Sequence, residues 1–136
     1  NDGMGDYIVS EVHRLMKNKG IEAENANVLI MGLSFKENCP DIRNTRVIDL
    51  VNGFKSLKSN VEVYDPWVGK DESIKEYGIN PSNKPTQKKY DAIIIAVAHD
   101  QFISLSLDQI KSFGKDNHVL YDVKYVLKAQ DVDGRL

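Results

Sequence analysis

Apolar side chains recur at Met4, Ile8, Val12 and Leu15, with Tyr7 and Met16 beside them, and this spacing predicts an amphipathic helix that Gly20 stops. Asp2 stands where an N-cap would. The helix begins so close to residue 1 that further chain is expected upstream. Val28-Leu29-Ile30-Met31-Gly32 is an unbroken apolar run ending in glycine, the composition of a strand covered on both faces. Residues 33–44 contain Pro40, two asparagines and four charged residues without any period, so they read as an ordered loop. Loops of about a dozen residues inside compact domains are more often functional than decorative. A helical period returns from Thr45, with Val47, Leu50, Val51, Phe54 and Leu57 on one face, although Gly53 costs about 1 kcal/mol against alanine in a helix interior.

The alternation Val61-Glu62-Val63-Tyr64 predicts a second strand, closed by Asp65-Pro66. A short helix follows over Asp71 to Tyr77, ended by Gly78, and residues 79–90 read as loop with a brief edge strand near Ile79. Ile93-Ile94-Ile95-Ala96-Val97 is β-branched and fully apolar, the pattern of a central strand. A short helix over Asp108 to Phe113 and a last strand over His118-Val119-Leu120-Tyr121 complete the order, with a partly helical or frayed tail from Val126 to Leu136. Strands alternate with helices, and no two-residue hairpin turn separates any pair. The fold class expected is therefore α/β: a three-layer sandwich around a Rossmann-like parallel sheet, with right-handed crossovers.

The chain has 136 residues, 41% of them hydrophobic and 28% charged, which suits one core and excludes a disordered chain. Eighteen Lys and Arg against 20 Asp and Glu give a net charge of −2, with no basic excess for nucleic acid or an anionic bilayer. Nucleic acid and membranes are thus not expected partners. No apolar run approaches the ~20 residues of a membrane span, and one cysteine, Cys39, excludes an internal disulfide and a cysteine-built zinc site. A cytoplasmic location is expected.

In doubly wound sheets, ligands lie beyond the carboxyl ends of the strands where strand order reverses. Polar residues sit there: Ser34, Lys36, Glu37, Asn38, Asp41 and Arg43 follow the first strand, Asp65 the second, His99 and Asp100 the third, and Asp122 with Lys124 the last. Lys36, Arg43, His99 and Lys124 together form a candidate cluster for a phosphate or pyrophosphate, aided by backbone N–H groups at the helix start near Thr45. Such loops are polar in any α/β domain, so polarity alone does not make a site. Gly32 stands without the further glycines of a dinucleotide turn, and the chain contains no Walker loop, nucleophile elbow or His-Glu-x-x-His helix. His13 and His118 read as packing or solvated residues and Cys39 as an inert thiol. Trp67 reads as a packing residue, whereas Phe35 beside Lys36 offers a ring on which a base stacks.

The segment Gly32-Leu33-Ser34-Phe35-Lys36-Glu37-Asn38-Cys39-Pro40-Asp41-Ile42-Arg43-Asn44-Thr45 resembles the C-terminal, UDP-binding domain of the UDP-glucose/GDP-mannose dehydrogenase family. The likeness continues through Val63-Tyr64-Asp65-Pro66-Trp67-Val68, Ala96-Val97-Ala98-His99-Asp100-Gln101-Phe102 and Val132-Asp133-Gly134-Arg135-Leu136, so that it spans nearly the whole chain. It looks most like the branch that oxidises UDP-N-acetylhexosamines to uronic acids for bacterial capsule, Vi-type and O-antigen polysaccharides.

The resemblance implies oxidation of a sugar C6 alcohol to a carboxylate, with NAD as acceptor and a cysteine-bound intermediate. It also implies that the NAD site and catalytic cysteine belong to an N-terminal domain not present here, and that no NAD is bound by residues 1–136. Asn1-Asp2-Gly3-Met4 is similar to the family's central helix, so residues 1–20 are expected to be its C-terminal part, a linker that builds a homodimer. Residues 21–136 are then the nucleotide-sugar-binding domain. By the same resemblance Phe35 and Lys36 form the Phe-Lys pair of the UDP-binding loop, with Lys36 facing the nucleotide and Arg43 bracing the loop. Where UDP-glucose dehydrogenases read Asp-Gly-Arg after the last strand, this chain reads Asp122-Val123-Lys124, which keeps the charge and loses the bidentate fork. Arg135 has no assigned role. The competing classes are a stand-alone binding module for a phosphorylated ligand, of flavodoxin-like or receiver type, and an oligomerisation domain built on the first helix. A receiver is disfavoured because no acidic pair follows the first strand.

Overall fold

A computed structural model describes residues 3–136; Asp2, the expected N-cap, lies outside the described residues. The chain runs α1 (Met4–Asn18), β1 (Asn27–Met31), α2 (Val47–Ser56), β2 (Asn60–Tyr64), α3 (Lys70–Tyr77), β3 (Tyr90–Ile95), α4 (Asp100–Ile103), α5 (Leu107–Lys111), β4 (Gly114–Asp122), a 3-10 turn (Ala129–Asp131) and β5 (Gly134–Arg135). The strands form one parallel sheet in the order β2-β1-β3-β4-β5, so the direction of winding reverses between β1 and β3.

Alternate residues of β1 enter opposite layers. Val28 and Ile30 join Val12, Met16, Leu50 and Phe54 beneath α1 and α2, whereas Leu29 and Met31 join Phe102 and Ile110 beneath α4 and α5. Helices on both faces of a parallel sheet give the three-layer α/β sandwich. The stripe of α1 packs inward at Ile8, Val12 and Met16 and covers the sheet, while Met4 and Tyr7 stay exposed. Gly20, at φ 75°, turns the chain out of the helix as expected.

The helix penalty at Gly53 has a packing cause. A Cβ there would lie 2.7 Å from Val9 Cγ2, so the glycine is where α1 and α2 approach each other. Valine is stiff at χ1 and has no flexible end to withdraw. Gly53→Ala is therefore expected to lose about 1–2 kcal/mol in urea denaturation, because overpacking outweighs the gain in helix propensity. A stabilised variant would show the helices free to separate.

The structure differs from the sequence expectations chiefly at β4 and the tail. β4 begins at Gly114 rather than His118, and a register irregularity between Tyr90 and Ala92 accommodates its polar start. The tail holds a strand: Gly134 and Arg135 pair with Tyr121 and Asp122, while the Asp133 carboxylate accepts the Leu120 N–H at 2.7 Å. The edge contact expected near Ile79 is a single bridge from Ser82 to Tyr64.

Candidate functional site

The loop after β1 crosses the carboxyl ends of β1 and β3, where the winding reverses. One wall of a cleft of about 230 Å³ is made there by Ser34, Phe35, Lys36 and Glu37. Thr45, Arg46 and Val47 at the start of α2 form a second wall, Ala96, Val97, Val123 and Lys124 the floor beyond β3 and β4, and Met4, Gly5 and Ile8 of α1 the last side. The positive end of the α2 macrodipole therefore faces the same space.

Lys36 and Lys124 both line the cleft, and neither pairs with a carboxylate among the described residues. Arg46 is held by Asp49 at 3.0 Å, and Glu37 is a carboxylate on the rim. The Lys124 backbone is fixed from below: buried Asp122 accepts its N–H at 3.1 Å and that of Leu127 at 2.7 Å. The Phe35 ring is 57% exposed beside Lys36, an uncovered aromatic face on a cationic rim.

Of the expected cluster, Lys36 and Lys124 line this cleft, whereas Arg43 and His99 do not. Arg43 lies outside the cleft lining, and its guanidinium grips its neighbour Asp41 through Nε at 3.0 Å and Nη2 at 3.1 Å. That pairing holds the Asp41 carboxyl below the ordinary carboxylate value. Asp41 in turn accepts the Phe35 N–H on its backbone oxygen at 2.7 Å, so Arg43 stiffens the loop base. At the far end of the loop, the Tyr77 hydroxyl donates to the Ile42 carbonyl at 2.6 Å.

His99 is 0% exposed and also lies outside the cleft lining, so its ring does not face a ligand there. Its Nδ1 accepts the Asn38 N–H at 2.9 Å, and its Nε2 lies 2.9 Å from Asp65 Oδ2. An imidazole that accepts at Nδ1 carries its proton on Nε2, so the proton points at the carboxylate. Asp65 Oδ2 also accepts the N–H groups of Leu33 and Ser34 at 2.7 and 3.0 Å, and Oδ1 that of Trp67 at 2.8 Å. Burial alone pushes this carboxyl up, yet the His99 and backbone donors together hold it below the ordinary carboxylate value. Sequence reading placed Asp65 among the strand-end polar residues and missed its role. The signal was Asp65-Pro66-Trp67, where an aspartate commonly accepts the amide two residues on.

The UDP-binding-domain model of the UDP-glucose/GDP-mannose dehydrogenase family matches residues 29–129. The chain belongs to this family. It is 50% identical over all 136 residues to the UDP-N-acetyl-D-glucosamine 6-dehydrogenase of Salmonella typhi, and 47% identical over the same length to that of Pseudomonas aeruginosa. In each case the chain spans 32% of the relative's length. Protein CapL of Staphylococcus aureus is 34% identical over 133 residues, which are 98% of this chain and 31% of that protein. Among solved structures, the NDP-N-acetyl-D-galactosaminuronic acid dehydrogenase of Methanosarcina mazei shares the fold at a TM-score of 0.84 and 23% identity, over 96% of this chain and 27% of that one. The family inferred from Gly32 to Thr45 is thus the family matched, and a free-standing module is not favoured. The match falls in the family's UDP-binding domain, and the chain spans about a third of the length of these relatives.

Proposed function

We propose that this domain holds the nucleotide of a UDP-N-acetylhexosamine while the rest of a longer enzyme oxidises the sugar C6 alcohol to a carboxylate with NAD, in the synthesis of a capsule or O-antigen polysaccharide. The observation that carries this reading is the pair of unpaired cations, Lys36 and Lys124, on one cleft with the exposed Phe35 ring. The ring supplies a face for the base and the two ammonium groups oppose the diphosphate charge, with the α2 N-terminus adding to the attraction. Arg43 acts at one remove, by fixing Asp41 and the loop base.

The first strand-to-helix turn of this domain carries Gly32 without the further glycines of a dinucleotide turn. In this reading the NAD site and the catalytic cysteine belong to an N-terminal partner domain. In the same reading residues 1–20 continue a central helix that joins the domains and pairs two copies, and residues 21–136 are the nucleotide-sugar domain. Exposed Met4 and Tyr7 on α1 suit such pairing. A cytoplasmic enzyme fits this chemistry, and no helix among the described residues is long and apolar enough to cross a membrane.

Calorimetric titration with UDP, GDP and AMP tests the assignment. UDP is expected to bind more tightly than the other two, and Lys36→Ala to weaken it about 10- to 100-fold, the range for one charge-assisted contact. No heat with millimolar UDP, or equal affinity for all three nucleotides, would overturn it.

A further inference from the structure

Phe35, Lys36, Glu37 and Asn38 are all exposed, so burial does not hold the cleft-lining stretch in place. Hydrogen bonds do: beyond the Phe35 N–H held by the Asp41 carbonyl, they converge on one buried imidazole. His99 Nδ1 takes the Asn38 N–H at 2.9 Å, and Ser34 Oγ lies 3.2 Å from Nε2. The Ser34 hydroxyl donates a hydrogen bond to the Lys36 carbonyl at 2.9 Å. Residues 34, 36 and 38 are thereby tied to a single ring, with Phe35 and Lys36 between the ties. The Asn38 side chain closes the arrangement by accepting the Asp100 N–H at 3.0 Å.

The ring is itself fixed. Asp65 at the end of β2 receives Nε2–H, Phe102 packs edge-on with ring centroids 5.3 Å apart, and the Trp67 ring lies 6.3 Å away. Asp65 and His99 therefore come from the ends of β2 and β3, the two strands that flank β1. The loop leaving β1 is pinned to both neighbours.

We propose that His99 is a positioning residue for nucleotide binding: with Asp65 it forms a latch that sets Phe35 and Lys36 against the cleft. The proposal rests on the UDP reading of that cleft. A neutral imidazole suits the task because it presents a donor and an acceptor on opposite sides of a rigid ring. Each half is removable separately. His99→Gln places an amide donor near the Nε2 position and leaves the Asn38 N–H without its acceptor. His99→Asn places a carbonyl oxygen near the Nδ1 position and leaves Asp65 without its imidazole donor.

The test combines hydrogen exchange at the Asn38 amide, urea denaturation and UDP titration of the 136-residue chain and both variants. In His99→Gln the Asn38 amide is expected to exchange about tenfold faster and the Kd for UDP to rise about tenfold, the equivalent of one lost hydrogen bond. His99→Asn is expected to restore both toward the unmodified chain, although it is the less stable of the two because it leaves a buried carboxylate with one donor fewer. Affinity and stability thus rank the variants in opposite orders, which a merely structural histidine does not produce. UDP affinities that follow stability, or an Asn38 amide that exchanges equally in all three proteins, would overturn the latch. Failure of the unmodified chain to bind UDP would overturn the nucleotide reading, and with it the role in binding. That failure is recognisable because the Asn38 exchange contrast is read without nucleotide.

Discussion

Asp65→Asn is expected to cost about 2–4 kcal/mol of stability at neutral pH, because a buried carboxylate with four N–H donors becomes an amide that can satisfy only some of them. Oδ2 accepts from Leu33, Ser34 and His99, and Oδ1 accepts from Trp67. If the new NH2 replaces Oδ2, three donors face a donor. The side chain will therefore place its NH2 at Oδ1, which orphans the Trp67 N–H and strips the charge from the other three bonds. The pH dependence follows from the direction of the shift. The folded carboxyl lies below its ordinary value of 3.8, so its contribution is fully present above that pH and is lost as pH falls through the folded value. The stability gap between Asp65→Asn and the unmodified chain should thus be widest at pH 7 and narrow below about pH 4. Urea denaturation at pH 7 and at a series of pH values stepping down from 3.8 measures both. A variant within about 1 kcal/mol of the unmodified chain at pH 7 would show that the carboxylate charge is not needed to hold the loop.

What could be read in advance divides along physical lines. Strands buried on both faces declare themselves by composition, and Val28 to Met31 and Ile93 to Ile95 lie in β1 and β3 as expected. Helices α1 and α2 were legible from period, since each buries one face against a flat sheet. The start of β4 was not, because Lys115, Asp116 and Asn117 are exposed and carry no apolar pattern. Two-residue β5 was equally hidden: a strand that short has no period, and its pairing is decided by Tyr121 and Asp122, more than ten positions earlier.

The site divides in the same way. Phe35 and Lys36 were legible because they are neighbours in an unusual loop, and Lys124 because it follows a strand end. Arg43 and His99 share their charge type or their position at a strand end, yet neither lines the cleft. Arg43 is drawn off by Asp41, two residues away, a contact local enough to suspect. His99 is drawn inward by Asp65 and Asn38, which are 34 and 61 residues distant, and no local pattern encodes that meeting. The sequence marked the loop and strand ends that surround the cleft, and tertiary pairing decided which of their polar groups line it and which brace the loop.

Gly32→Ala is expected to destabilise the domain by about 3–5 kcal/mol, the sum of backbone strain and overpacking. The residue has φ 107°, a region that L side chains rarely adopt. A Cβ there would also meet Val97 Cβ at 2.6 Å, Val97 Cγ2 at 2.7 Å and Val97 N at 2.9 Å. The two costs separate experimentally. Adding Val97→Ala removes Cγ2 but leaves the Cβ and backbone nitrogen, so the double variant should recover little of the loss. Recovery of most of it would mean that a flexible side-chain clash, and not the approach of two strand ends, excludes alanine. The same substitution reaches the cleft, because Gly32 donates to the Tyr64 carbonyl at 2.8 Å and its neighbour Leu33 donates to Asp65 at 2.7 Å. A shift of either bond moves the root of the loop that carries Phe35 and Lys36. Loss of stability in thermal melts should therefore be accompanied by weaker UDP binding well below the melting temperature, where the domain is still folded. Unaltered affinity in a destabilised Gly32→Ala protein would show that the loop holds its position through His99 and the Asp41 and Tyr77 contacts, with no help from the strand it leaves.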